Sequence, residues 1–233
     1  MGLIRHSEAW EFQKKLLAEI QDNKRPIRQL PSNPSPGQSN YLIFCEHPHV
    51  YTLGKSGKEN NLLVDEEFLK KAGAELYRID RGGDITYHGP GQIVGYPIFD
   101  LESFGLGVKQ YIYNLEEIII LTLRNFLIKG ERLSGATGVW IDTDIPEKTR
   151  KICAIGVKVS RAVTMHGFAF NINTDLDFYN IINPCGFTDK GVTSVQKETG
   201  REIDIQVVKQ LLVKSFEEVF KLSEIIRDYE DIR

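Results

Sequence analysis

From Glu8 to Gln21 apolar residues fall at helical intervals, at Ala9, Phe12, Leu16, Leu17 and Ile20, and predict an amphipathic helix. The pattern then breaks: residues 25–39 hold Pro26, Pro31, Pro34 and Pro36 with Gly37 among serines and asparagines, which predicts an extended connection. Short apolar runs at Tyr41–Cys45, Val50–Leu53 and Glu75–Ile79 read as strands. Asp65–Ala72 reads as a short helix with Asp65 as its N-cap, and Ile93–Phe99 as a buried strand. The strongest period belongs to Val108, Tyr111, Ile112, Leu115, Ile118, Ile119, Leu123 and Phe126, and predicts a helix over Val108–Ile128. Beyond it the pattern turns to β again at Gly138–Asp142, Lys151–Val159 and Thr164–Ile172. A short helical turn at Leu176–Ile181 follows, then a final helix over Asp204–Lys221 with Val208, Leu211, Leu212, Ser215 and Val219 on one face. Helices and strands that mix without a regular βαβ rhythm predict an α+β (mixed α/β) fold, a sheet covered by helices.

Length and composition narrow the class. With 233 residues, 41% of them apolar, residues 1–233 are expected to form a single domain with a substantial core. A net charge of -3 gives no bulk attraction to nucleic acid or to a membrane surface. An acidic partner would have to meet a local patch, for which Arg78, Arg81, Lys158 and Arg161 are the candidates. Met1–Arg5 has no signal-peptide pattern, and the richest apolar run, Leu115–Leu127, is interrupted by Glu116, Glu117, Arg124 and Asn125, so a cytoplasmic protein is expected. Met1-Gly2 lacks the Ser or Thr that myristoylation needs at position 6, which is His6. The odd count of cysteines, Cys45, Cys153 and Cys185, argues against a disulfide framework.

The chemistry concentrates in a few segments. Arg81-Gly82-Gly83-Asp84-Ile85-Thr86-Tyr87-His88-Gly89-Pro90-Gly91-Gln92 fits a sharp hairpin between Leu76–Asp80 and Ile85–Tyr87, or a loop over which a ligand approaches the main chain. It matches neither phosphate-binding glycine fingerprint, because a β-type run follows Gly82-Gly83 where those motifs need a helix. In Asn183-Pro184-Cys185-Gly186 the flanking proline and glycine hold a thiol on a tight bend, open to a nucleophilic role or to simple burial. An unassisted thiol of pKa about 8.5 is little ionised at neutral pH, so reactivity calls for Lys151, Lys158, His88 or His166 nearby. Strand alternation puts Lys151 and Lys158 on opposite faces, so that only one points into a site. Cys153 lies in an apolar run and reads as a core residue. His166-Gly167-Phe168-Ala169 leaves room beside a strand for a slender ligand. Cys45, His47 and His49 make a poor zinc set, with Pro48 between the histidines and no fourth ligand.

Arg81–Gln92, Lys151-Ile152-Cys153-Ala154-Ile155-Gly156-Val157-Lys158, His166-Gly167-Phe168-Ala169 and Asn183-Pro184-Cys185-Gly186 together, in this order and spacing, resemble the lipoyl(octanoyl) transferase family. That family sits with the lipoate and biotin protein ligases, which implies one mixed β-sheet flanked by helices. The resemblance implies transfer of an octanoyl group from acyl carrier protein to a specific lysine of lipoyl domains, those of 2-oxoacid dehydrogenase E2 subunits and of the glycine cleavage H protein. It makes Cys185 the acyl-thioester nucleophile and Lys151 the group that lowers its pKa. Arg81, Gly82, Gly83, Asp84, Ile85, Thr86, Tyr87 and His88, with Ala154, Ile155 and Gly156 and with Gly167, Phe168 and Ala169, would line the acyl groove. No metal, no cofactor and no ATP is called for, because the acyl group arrives activated. The alternatives are an ATP-dependent lipoate protein ligase, a lipoyl amidotransferase relative, or a module that only binds lipoyl domains or acyl carriers.

Overall fold

The structure, a computed structural model, describes residues 1–24, 39–183 and 190–222. The proline-rich stretch 25–38 and the Pro184-Cys185-Gly186 motif lie outside the described residues.

Helix α1 (His6–Asn23) buries Ala9, Leu16 and Ile20 as its periodicity predicts, and also two polar residues, His6 and Gln13, on the same face. Strands β1 (Tyr41–Cys45) and β2 (Val50–Leu53) follow. Helix α2 (Glu66–Lys71) starts where Asp65 accepts a hydrogen bond from the Phe68 amide at 2.8 Å. Then come β3 (Glu75–Arg78), β4 (Ile85–His88) and β5 (Gln92–Ile98). Helix α3 (Val108–Arg124) stops four residues before the predicted Ile128. Leu127 takes a left-handed conformation (φ 58°), and Ile128 turns back to donate to the Leu123 carbonyl at 3.2 Å. This closure is normally signalled by a glycine, and here it carries none.

The second half supplies β6 (Glu131–Leu133), β7 (Ala136–Ile141), β8 (Arg150–Ser160), β9 (Val163–Asn171), β10 (Gly191–Val192), α4 (Val195–Thr199) and α5 (Ile205–Phe220). A 3-10 turn at Leu176–Ile181 lies where the sequence predicts one. Strands β6 and β10 and helix α4 are additions to the expected set; each spans five residues or fewer, too short for a period to show.

The large sheet runs β1-β5-β9-β8-β7-β6, antiparallel throughout, with β10 added in parallel to β8. Helices α3 and α5 pack on it through Leu115, Ile118, Phe216 and Phe170. Helix α1 packs a second cluster onto Val94, Tyr96 and Ile98. The alternation of Ile93 with Val94 along β5 feeds the two clusters from one strand. The result is the mixed α+β architecture expected, a sheet flanked by helices.

A three-stranded sheet of order β3-β2-β4 corrects the hairpin reading of Arg81–Asp84. Strand β2 lies between β3 and β4, parallel to the first and antiparallel to the second, so residues 79–84 cross the end of β2. The glycines serve that crossing. Gly83 has φ 94°, and a Cβ on Gly54 would stand 2.3 Å from the Gly83 carbonyl oxygen.

Candidate active site

The crossing loop is held from inside by its own arginine. Arg81 donates to the carbonyls of Gly82 (2.7 Å), Asp84 (2.6 Å) and Thr52 (3.2 Å). Asp84 in turn accepts from the Ile85 amide at 2.7 Å and the Asn61 side-chain amide at 2.5 Å. The loop then docks on the large sheet, where Gly82 donates to the Val157 carbonyl at 3.0 Å. Of the four basic residues that could form a patch, Arg78 pairs with Glu59 and Lys158 with Asp80, each at 2.5 Å, and Arg81 is engaged by loop carbonyls.

Between this loop, β4, β8 and β9 lies a cavity of about 580 Å³. Its walls include Arg81, Gly82, Gly83, Asp84, Ile85, Thr86 and His88 from the first segment, Ala154, Ile155 and Gly156 from β8, and Gly167, Phe168 and Ala169 from β9. Gly156 lets the two walls meet, because a Cβ there would stand 2.6 Å from the Gly82 carbonyl oxygen. Tyr87 departs from the expected lining. Its side chain lies off the cavity wall, in a stack with Phe178 (ring centres 5.1 Å apart) and a hydrogen bond with His49 at 2.8 Å.

Lys151 reaches the same cavity, on the strand that pairs with β7. Its ammonium lies over the ring of Trp140, 4.4 Å from the ring centre, and Trp140 donates its indole N–H to the Ala136 carbonyl at 2.9 Å. Lys158, the other lysine of the strand, is engaged by Asp80 at 2.5 Å. Cys153 is fully buried; burial pushes its thiol well above the ordinary range, and its thiol donates to the Ala154 carbonyl at 3.6 Å. Cys185 lies outside the described residues, but the chain on one side of it, Lys190, Gly191 and Val192, lines the cavity.

The imidazoles around the cavity are neutral. The Gln92 side-chain amide donates to the Tyr87 carbonyl (3.2 Å) and to Asn171 (2.9 Å), which leaves its oxygen to accept from His88 Nδ1 at 2.9 Å. Burial, with His47 and His6 nearby, holds His88 well below the usual imidazole range. Burial also lowers His6, to about 3, and His166, to about 4 against its hydrogen bond to Asp80. Asp80 is pushed up by burial, but the hydrogen bonds from Lys158 and His166 outweigh this and hold it below the ordinary carboxyl value. His47 has both ring nitrogens engaged, by the Ile4 carbonyl and by Tyr96, each at 2.7 Å, and so has none left for a metal with Cys45 and His49.

Several cavity residues carry no signal in the sequence. His6 comes from α1, Tyr96 from β5, Trp140 from β7 and Tyr179 from the 3-10 turn. Each sits in an ordinary periodic element; only the run of small residues before Trp140, Gly135-Ala136-Thr137-Gly138, hints at a close approach.

Fold and cavity together define a lipoyl protein ligase A/B catalytic domain, whose family model matches residues 5–217. The fold is similar to that of a bipartite lipoate protein ligase from Thermoplasma acidophilum, with a TM-score of 0.66 at 17% identity, covering 94% of this chain and 83% of that one. The chain is 52% identical to an octanoyltransferase of Cytophaga hutchinsonii, over 95% of this chain and 91% of the relative. It is 54% identical to one of Parabacteroides distasonis, over 94% and 96%. The chain belongs to this family, and within it to the octanoyltransferases. Such an enzyme takes its acyl group from a donor and passes it to an acceptor. None of the helices among the described residues is long and apolar enough to cross a membrane.

Proposed function

We propose that the chain acts as one catalytic domain in the cytoplasm, moving an octanoyl group from acyl carrier protein to a lysine of lipoyl domains through a thioester on Cys185. The lipoyl domains of 2-oxoacid dehydrogenase E2 subunits and the glycine cleavage H protein are the acceptors. The observation that carries this reading is the placement of Lys151 in a cavity lined by small and apolar residues from three separate motifs. The slot fits a methylene chain, and an ammonium in it favours a thiolate over a thiol.

In the first half-reaction the Cys185 thiolate attacks the donor carbonyl. The tetrahedral oxyanion collapses, the carbon–sulfur bond to the carrier breaks, and the carrier's thiolate takes a proton from the Lys151 ammonium. In the second, the acceptor's neutral lysine amine attacks the Cys185 thioester. The Cys185 thiolate leaves, and the proton lost by the new amide nitrogen goes to Lys151. Backbone amides at the site supply donors to both oxyanions. One thioester replaces another in the first step and an amide replaces a thioester in the second, so no ATP is consumed.

Intact-protein mass spectrometry after incubation with octanoyl carrier protein tests the reading. The native chain is expected to gain one octanoyl group, labile to hydroxylamine, and Cys185→Ala none. A labile adduct on Cys185→Ala, or a strict need for ATP, overturns it.

A further inference from the structure

We infer that Trp140 is a positioning residue for the octanoyl transfer proposed above, its indole face setting where the Lys151 ammonium sits and favouring its charged form before the first half-reaction and after the second. The inference rests on that reading of Lys151.

The ammonium is 4.4 Å from the centre of the Trp140 ring, within the distance at which a ring face attracts a cation. The ring cannot turn away to give this up. Trp140 is 1% exposed, and its indole N–H is fixed on the Ala136 carbonyl at 2.9 Å. Trp140 and Lys151 are also register partners across β7 and β8, so the two side chains start from neighbouring strands at the same level.

A second feature shapes the lysine's path. Gly138, two residues before Trp140, has φ 120°, and a Cβ there would stand 3.5 Å from the Lys151 Cε and 2.5 Å from the Cys153 carbonyl oxygen. The positive φ and the close Cys153 carbonyl require glycine at this position, and the lysine stem passes within ordinary contact distance of it. Gly138 is pinned in turn by Glu116 of α3, which accepts its amide proton at 3.0 Å and also binds Arg132 at 3.1 Å. Among the described residues, the charged or titratable groups around the ammonium include Glu116 behind Gly138, Cys153 on the lysine's own strand and Lys190 on the cavity wall.

An aromatic face offers a cation attraction without offering it a proton acceptor. A carboxylate in the same place would also hold the ammonium, but would compete with Cys185 for it. The indole leaves the proton available to the departing thiol, and receives the charge again when the acceptor amine has given up its proton.

The test compares Trp140→Phe and Trp140→Leu with the native chain, reading octanoyl adduct formation on Cys185 in a single turnover, kcat and KM for the octanoyl donor, and the pH profile of kcat. Trp140→Phe keeps a ring and is expected to stay within about threefold of native kcat, the residual loss reflecting the weaker face of Phe. Trp140→Leu is expected to lose roughly tenfold or more in kcat with little change in KM, and its alkaline limb, where Lys151 loses its proton, is expected to move to lower pH. An unmoved alkaline limb in Trp140→Leu overturns the inference, as does an equal loss in the two variants. If Trp140→Leu does not fold, the Phe variant decides: a shift of its alkaline limb to lower pH supports the inference, and an unmoved limb overturns it. Absence of any adduct on the native chain sinks the parent reading, whereas a native adduct with unmoved variants sinks only this one.

Discussion

Gly82 donates its backbone N–H to the carbonyl of Val157 at 3.0 Å, and this bond joins the crossing loop of the small sheet to strand β8 of the large one. Gly156, beside Val157, keeps that joint closed, since a Cβ there would meet the Gly82 carbonyl oxygen at 2.6 Å and the Arg81 guanidinium at 2.7 Å. Gly156→Ala should therefore push the two walls of the cavity apart. A stability loss of about 1–3 kcal/mol is expected from the overpacking, read from the urea midpoint. Slower octanoyl adduct formation should accompany it.

Arg81 holds three backbone carbonyls, those of Gly82 and Asp84 in its own loop and that of Thr52 on β2. Its role in this structure is to shape the loop, so replacing it should act through loop order. Arg81→Ala is expected to cost about 2–3 kcal/mol of stability, the scale of lost hydrogen bonds to a charged group. Faster amide hydrogen exchange should appear across Gly82–Ile85. A variant with native exchange there but lost binding of the donor would show that Arg81 meets the donor directly.

The cavity side of the protein depends on histidines that stay neutral. His6, His47, His88 and His166 all lie below their ordinary value, chiefly through burial, with His166 at about 4 and His6 at about 3. The unfolded chain binds these protons near pH 6.5 and the folded chain does not, so stability is full above that pH and falls as the solution is acidified from about 6.5 toward 4. Each histidine contributes up to about 1.4 kcal/mol per pH unit within its window. Urea midpoints should be level between pH 7 and 8 and fall steeply by pH 5. A level midpoint from pH 7 to 5 would contradict the burial of these imidazoles.

Two of the three thiols are structural. Burial pushes the Cys45 thiol up to about 12 and the Cys153 thiol well up. Cys153→Ala should keep the octanoyl adduct while costing about 1 kcal/mol in stability, and a gentle thiol reagent should label one site in the native chain. Loss of the adduct in a folded Cys153→Ala protein would move the nucleophile from Cys185 to the core.

Much of the fold was legible because most elements are long enough to show a period, as in α3, where Leu115, Ile118 and Ile119 mark one face. What escaped was local or polar. Leu127 closes α3 without the usual glycine, and β10 pairs with only two residues of β8. His6 and Gln13 occupy the buried face of α1, where an apolar period counts them as breaks. Most residues that the family resemblance assigns to the acyl groove line one cavity, because β4, β8 and β9 come together there. Trp140 was not legible as part of it, because a tryptophan in an apolar strand reads as core until the lysine on the facing strand is seen against it.

The cavity has no local origin in the chain. Its walls come from residues near 80, 155, 168 and 191, and the central sheet contact pairs Gln92 with Asn171, 79 positions apart. Contacts this distant in sequence form slowly, because the entropy of closing long loops must be met before any pairing rewards it. The last of these walls in chain order is Gly191–Val192. During synthesis the walls therefore cannot meet until the chain has been made past Val192, so all four segments must emerge before the cavity can close around an acyl chain.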